Sequence, residues 1–165
     1  RTRAWVLDWI DGGAPLWRVA KPATPPVHLV SYFLLVDGEH ILLVDHRNAE
    51  LWLPTGGHVE PGEHPRTTVE REVLEELGIE VRSTGVSARF ATPDPLFVTR
   101  TETVGRTAGH TDVSLWFHLV GDRSQPLEID AGEFREARWF HWRDAPLHRT
   151  DPHLSRFLGK LFDEV

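Results

Sequence analysis

Glu72, Glu75 and Glu76 stand at i, i+3 and i+4, a spacing that puts three carboxylates on one face of a helix. Like charges so placed repel, destabilising an isolated helix by a few tenths of a kcal/mol per pair, roughly. The pattern therefore suits a cation held among the acids. Hard oxygen donors without Cys or paired His select Mg²⁺ or Mn²⁺ over zinc. Gly56-Gly57 lets backbone approach closely and leaves carbonyls free to ligate. Arg71 can pair with Glu75 at i+4 or reach back to Glu63, orienting the acids around it. An E-x-x-E-E run by itself is most often a solvated helix face. Its company here argues for chemistry.

Residues 57–79 read G-H-V-E-P-G-E-H-P-R-T-T-V-E-R-E-V-L-E-E-L-G-I. This segment resembles the Nudix box, G-x5-E-x7-R-E-U-x-E-E-x-G-U, with U a bulky aliphatic residue. Gly57, Glu63, Arg71, Glu72, Val73, Glu75, Glu76, Gly78 and Ile79 fill every fixed position. The W-L-P-T-G-G run at residues 52–57 and strands on either side also resemble the family order.

The resemblance implies an α/β fold, a Nudix-type α/β/α sandwich with a mixed sheet between helices. It implies that Glu72 and Glu76 bind divalent metal directly, and Glu75 directly or through water. The Gly56 carbonyl resembles the backbone ligand of some members, and Glu63 with Arg71 the bracing ion pair. The implied reaction is attack of water on phosphorus in a nucleoside diphosphate linked to another group. Metal ions suit that chemistry by neutralising diphosphate charge and acidifying water. A carboxylate can take the water's proton. A box glutamate is the first choice for this base; Glu102, Asp112 and Glu133 are alternatives on later segments, where surface carboxylates are common.

The elements that must position these residues follow from hydrophobic pattern. Residues 28–36 and 41–46 read as strands joined by Asp37-Gly38-Glu39-His40, a hairpin signal. Leu51, Trp52 and Leu53 form a short apolar piece before Pro54-Thr55-Gly56-Gly57, which reads as an irregular loop. The spacing predicts a helix over 65–77, with Pro65 in its first turn and Gly78 just past its end. Val69, Val73 and Leu77 give it one apolar stripe. Strands are expected at 79–82, 85–91, 96–101, 113–120 and 137–141. A closing helix follows Asp151-Pro152, with Leu154, Phe157, Leu158, Leu161 and Phe162 on one face. Residues 1–26 read as an appendage, a short helix over 3–11 stopped by Gly12-Gly13 and then a proline-rich linker at 21–26. Residues 27–165 form the Nudix-like domain, and the appendage is the candidate contact for a homodimer.

A chain of 165 residues has enough core to need no disulfide. Its net charge of −7 excludes a basic nucleic-acid or membrane-surface binder. The expected partner is a small nucleotide or nucleoside diphosphate derivative, reached through divalent cations rather than a basic surface. Cys is absent, which removes thiolate chemistry and fits a cytoplasmic, reducing setting. Arg1 comes first and Met is absent, so the expectation is that initial residues have been removed. Residues 5–10 are too polar for a signal-peptide core. The ten histidines include no spaced helical pair with an acid, which discounts a zinc motif; His110-Thr111-Asp112 is weighed only as a substrate contact. Trp52, Phe90, Phe97, Trp116 and Trp139 read mainly as core, with one or two left to stack on a base.

Subgroup cues are weaker. The run S-Q-P-W-P-F-P of NADH pyrophosphatases is missing, and the only Tyr is Tyr32, unlike dinucleoside-polyphosphate hydrolases. Pro93 and Pro95 sit near the place of the proline of ADP-ribose pyrophosphatases. The leading expectation is an ADP-ribose-like or other nucleoside diphosphate derivative. Hydrolysis of (d)NTPs or oxidised dNTPs is the alternative, and a nucleotide sensor without catalysis is the alternative from another class.

Overall fold

The computed structural model describes residues 1–21, 24–82, 87–103 and 109–163. Strand β1 (Val27–Asp37) organises them. Phe33 and Leu35 enter one core, while Leu34 and Val36 enter another on the opposite face. A strand covered on both sides reads as a continuous apolar run rather than an alternation. Gly38, at φ 58°, supplies the positive φ at the first central position of the loop into β2 (His40–His46).

The two strands stay paired only at Val36↔Ile41 and Asp37↔His40. Beyond the turn, β2 pairs with β3 (Leu51–Leu53) and β8 (Phe134–His141). The other end of β1 is thereby open to different neighbours. It pairs antiparallel with β4 (Thr55–His58) and parallel with β7 (Thr111–Val120). Strands β5 (Arg89–Phe90) and β6 (Phe97–Glu102) complete the far side against β7. The result is a mixed sheet.

Three of the expected elements differ. The segment expected as an irregular loop at 54–57 contains β4, because Gly56 and Gly57 pair with Tyr32 and Ser31 of β1. A Cβ on Gly56 would lie 2.5 Å from the Ser31 carbonyl oxygen, so only glycine brings this strand so close. The expected strand at 79–82 is absent: Ile79 is core and Val81 forms a single bridge to Ala88. Of the expected strand at 85–91, residues 85–86 lie outside the described residues, and only Arg89 and Phe90 form a ladder.

Helix α2 (Pro65–Leu77) has both expected ends. His64 caps it by accepting the Arg66 N–H, Pro65 occupies the first turn, and Gly78 closes it at φ 67°. Val69, Val73 and Leu77 are fully buried against Phe33, Leu35, Phe117 and Leu119, each burial contributing about 1.5–3 kcal/mol. Helix α3 (Leu154–Phe162) packs Leu154, Phe157 and Leu158 onto the other face beside Trp116 and Phe97. Helices on both faces make the α/β/α sandwich. A third helix, α1 (Thr2–Asp11), inserts Val6 among Leu29, Val59 and Val113. No helix among the described residues is long and apolar enough to cross a membrane.

Candidate active site

Helix α2 turns its polar side toward β4. Arg71 is the hub of this side: its guanidinium donates to Glu63 at 2.9 and 3.0 Å, to Glu72 at 2.6 Å and to the His58 carbonyl at 3.2 Å. Glu75 stands 3.5 Å from Arg71 as the i+4 partner. The Thr68 hydroxyl donates to Glu63 at 2.5 Å. The Arg71 hydrogen bonds first, then that of Thr68, lower the Glu63 carboxyl to a pKa of about 2 against the opposing effect of burial. Glu63 is thus held ionised and clamps the loop before α2 to the helix.

Glu72 and Glu76 behave in the opposite way. Burial, then the charge of Glu72 and of Glu133, pushes the Glu76 carboxyl well above the usual carboxylate range. Burial also raises Glu72, against the pull of Arg71. Glu76 is only 4% exposed and accepts the Gly56 N–H at 3.2 Å. A Cβ on Gly57 would lie 2.2 Å from the Glu72 carboxylate, so glycine is what lets backbone and acid meet. A half-buried and a buried carboxylate that resist ionising together, lined by backbone, fit a hard divalent cation. Glu75 is 59% exposed at its side chain and sits at the edge of this pair.

These groups open into a cleft of about 560 Å³ lined by Gly56, Glu72, Glu75, Glu76, Asp112 and Glu133. Of the later acids, Glu133 is brought opposite the pair by the turn before β8, with His46 at 3.5 Å. Glu102 accepts from Thr111 and lines an adjoining cavity that Asp112 and Glu133 share with the cleft. Asp112 is ringed by His28 at 3.3 Å, His110 at 3.5 Å and His58 at 3.8 Å. Burial pushes His58 down to about 3 despite the attraction of Asp112.

Spacing in the sequence gives no sign of several lining residues. Arg18 and Lys21 reach the cleft from the segment after α1, and Tyr32 from β1. Arg18 faces both Asp112 and Glu72. The backbone carries it there: the Leu29 N–H donates to the Leu16 carbonyl and the Thr111 N–H to that of Pro26. Of the aromatic residues weighed for stacking on a base, Trp116 and Phe97 are buried against α3.

Comparison with known proteins agrees with this architecture. The NUDIX domain model matches residues 27–161. The NAD-capped RNA hydrolase NudC of Actinobacillus succinogenes is 30% identical over 137 residues, covering 78% of this chain and 46% of that protein. The protein of the same name from Pseudomonas syringae is 27% identical over 127 residues, covering 76% and 40%. The chain therefore spans less than half the length of these relatives. Among solved structures, a NUDIX-family hydrolase from Clostridium perfringens superposes with a TM-score of 0.63 at 20% identity, covering 82% of this chain and 96% of that one. The E. coli dihydroneopterin triphosphate pyrophosphohydrolase does so with a TM-score of 0.65 at 16% identity, covering 92% and 100%. At these identities the structures speak to fold alone. With a matched model over most of its length and the box at the centre of its cleft, the chain belongs to the NUDIX domain family.

Proposed function

We propose that this chain is a Mg²⁺- or Mn²⁺-dependent pyrophosphohydrolase that cleaves a nucleoside diphosphate linked to another moiety. The observation that carries this reading is the pair of half-buried Glu72 and buried Glu76, whose carboxyls are both raised and which lie against the Gly57 and Gly56 backbone in an open cleft. Glu72, Glu76 and the Gly56 backbone would hold the metal, with Glu75 contributing directly or through water. When bound, the cation supplies charge neutralisation of the diphosphate and acidification of the attacking water. Arg71 and Glu63 keep the glutamates aimed by fixing loop and helix together. Arg18 and Lys21, cations lining the cleft apart from Arg71, are suited to hold phosphate oxygens.

Proton removal falls to a carboxylate at the edge of the pair. Of the glutamates at the fixed box positions, Glu75 is the most open to solvent, and Glu133 lines the same cleft close enough for its charge to act on the pair. Asp112 is less suited, since three imidazoles surround it. The names of the two NudC relatives favour a dinucleotide of the NAD type, itself a nucleoside diphosphate bearing a second nucleoside. ADP-ribose belongs to the same chemical class, and (d)NTP hydrolysis is the competing reading. We propose residues 27–165 as the catalytic domain, residues 1–26 as an addition that lends Arg18 and Lys21 to it, and the cytoplasm as the compartment.

Product analysis with Mg²⁺ on NAD, ADP-ribose, nucleotide sugars, dNTPs and 8-oxo-dGTP tests this. The expected result is cleavage of one diphosphate class, lost in excess EDTA. Undiminished hydrolysis in EDTA would reject the metal, and cleavage of dNTPs alone would reject the substrate class.

A further inference from the structure

The four residues His28, His58, His110 and Asp112 come from the start of β1, the end of β4 and the segment entering β7. One donor atom from each lies within 4.8 Å of all the others. Asp112 Oδ1 stands 3.3, 3.5 and 3.8 Å from the Nε2 atoms of His28, His110 and His58. A tetrahedral ion with bonds of about 2.0–2.1 Å places its ligand atoms about 3.3–3.4 Å apart. The three distances to Asp112 are close to that spacing, and the remaining ones stay within 4.8 Å.

Its hydrogen bonding favours a metal over a set of ordinary polar contacts. His28 is wholly buried, and its Nδ1 lies 2.7 Å from the Pro25 carbonyl oxygen. A carbonyl only accepts, so Nδ1 carries the proton, and the tautomer so fixed turns Nε2 toward Asp112 as the atom able to ligate. Thr103 Oγ1 stands 3.2 Å from His110 Nδ1, an outer partner of the same kind. Yet His28 Nε2, His58 Nε2 and Asp112 Oδ1 are buried with no hydrogen-bond partner among the described residues. Buried lone pairs that converge on one point without donors between them are costly. A cation at that point answers all of them at once.

We propose that His28, His58, His110 and Asp112 form a second metal site, a closed four-ligand site for a Zn²⁺-class transition-metal ion. Three imidazoles and one carboxylate select such an ion over Mg²⁺, which demands oxygen donors. Four protein ligands complete a tetrahedral shell, so the role is structural. The ion ties β1, β4 and β7 together beside the catalytic cleft, next to Gly56 and Gly57, which β4 carries.

The full chain, stripped with chelator, is titrated with Zn²⁺ and with Co²⁺ in millimolar Mg²⁺. One equivalent of Zn²⁺ is expected to stay bound through gel filtration. Zn²⁺ at a hundredfold excess over Kd is expected to raise Tm by about 5 °C or more. Co²⁺ is expected to give the intense visible bands of four-coordination. The bands should persist in Glu76→Gln, and His58→Ala and Asp112→Asn should each weaken binding by tenfold or more, roughly. Weak six-coordinate bands in the unaltered chain, or no retained Zn²⁺, overturn the site whatever the variants do. Bands lost in Glu76→Gln but kept in His58→Ala would assign the ion to the glutamates instead, and overturn it too.

Discussion

Glu72 and Glu76 line a cleft that Asp112 and His58, two members of the second cluster, also reach, but the two clusters gather lone pairs in different ways. The glutamates come from one helix, four residues apart, so local geometry alone puts them side by side. Their conflict is one of charge: burial raises both carboxyls first, and neighbouring acids add to it, Glu72 and Glu133 for Glu76, Glu75 and Glu133 for Glu72. The imidazoles come from three strand ends, and there the conflict is a shortage of donors around Asp112. Hard, repelling oxygens ask for a small hard cation. Nitrogen-rich, closed surroundings ask for a borderline one. Two neighbouring clusters can thus be tuned to different ions by donor type alone.

The sharpest way to break this comparison is Glu76→Gln. It removes a proposed ligand and the charge conflict together, and is expected to lower kcat by at least about a hundredfold with unchanged circular dichroism. A value within threefold of the unaltered chain, roughly, would remove the box from the mechanism. Gly57→Ala acts on the same spot through space rather than charge. Its Cβ must displace the Glu72 carboxylate, and steady-state kinetics should register about a tenfold to hundredfold loss while Tm changes little. Glu133→Gln is expected to cost about tenfold or more in kcat, as removal of a proton acceptor does.

Glu63→Gln separates bracing from chemistry. It is expected to destabilise the fold by about 1–2 kcal/mol at pH 7, through loss of charge-assisted bonds to Arg71. The native carboxyl lies at about 2, below its ordinary value of 4.5. Its contribution is therefore complete above about pH 5 and is lost as pH falls toward about 2. Denaturant melts of the two proteins should converge over that window, and a constant gap down to pH 2 would remove the ion pair as the cause. Glu102→Gln marks the lower limit: its carboxylate accepts from Thr111 away from the glutamate pair, so kcat should stay within about twofold.

The elements that decide catalysis were legible where the information is local. Pro65, Gly78 and the stripe of Val69, Val73 and Leu77 bounded α2 in the linear chain, because caps and helical periodicity act within a few residues. The segment at 54–57 reads as a loop, since its glycines carry no strand preference of their own. Pairing with β1 made it a strand. Arg18 lay unmarked beyond α1, as nothing nearby in the sequence tells a guanidinium which acids it will face.

By itself, then, the sequence determined the box: the order of Gly57, Glu63, Arg71, Glu72, Glu75 and Glu76, the helix that carries the last four, and the family to which they belong. Only the tertiary structure decided which later acid comes near them, that Glu133 lines their cleft and its charge acts on the pair while Glu102 lines the adjoining cavity, and that His28, His58 and His110 converge on Asp112. The reason is range. A helix sets its side chains by bonds four residues long, whereas neighbours across a sheet are chosen by strand register, which is fixed only when both faces of β1 have found their cores.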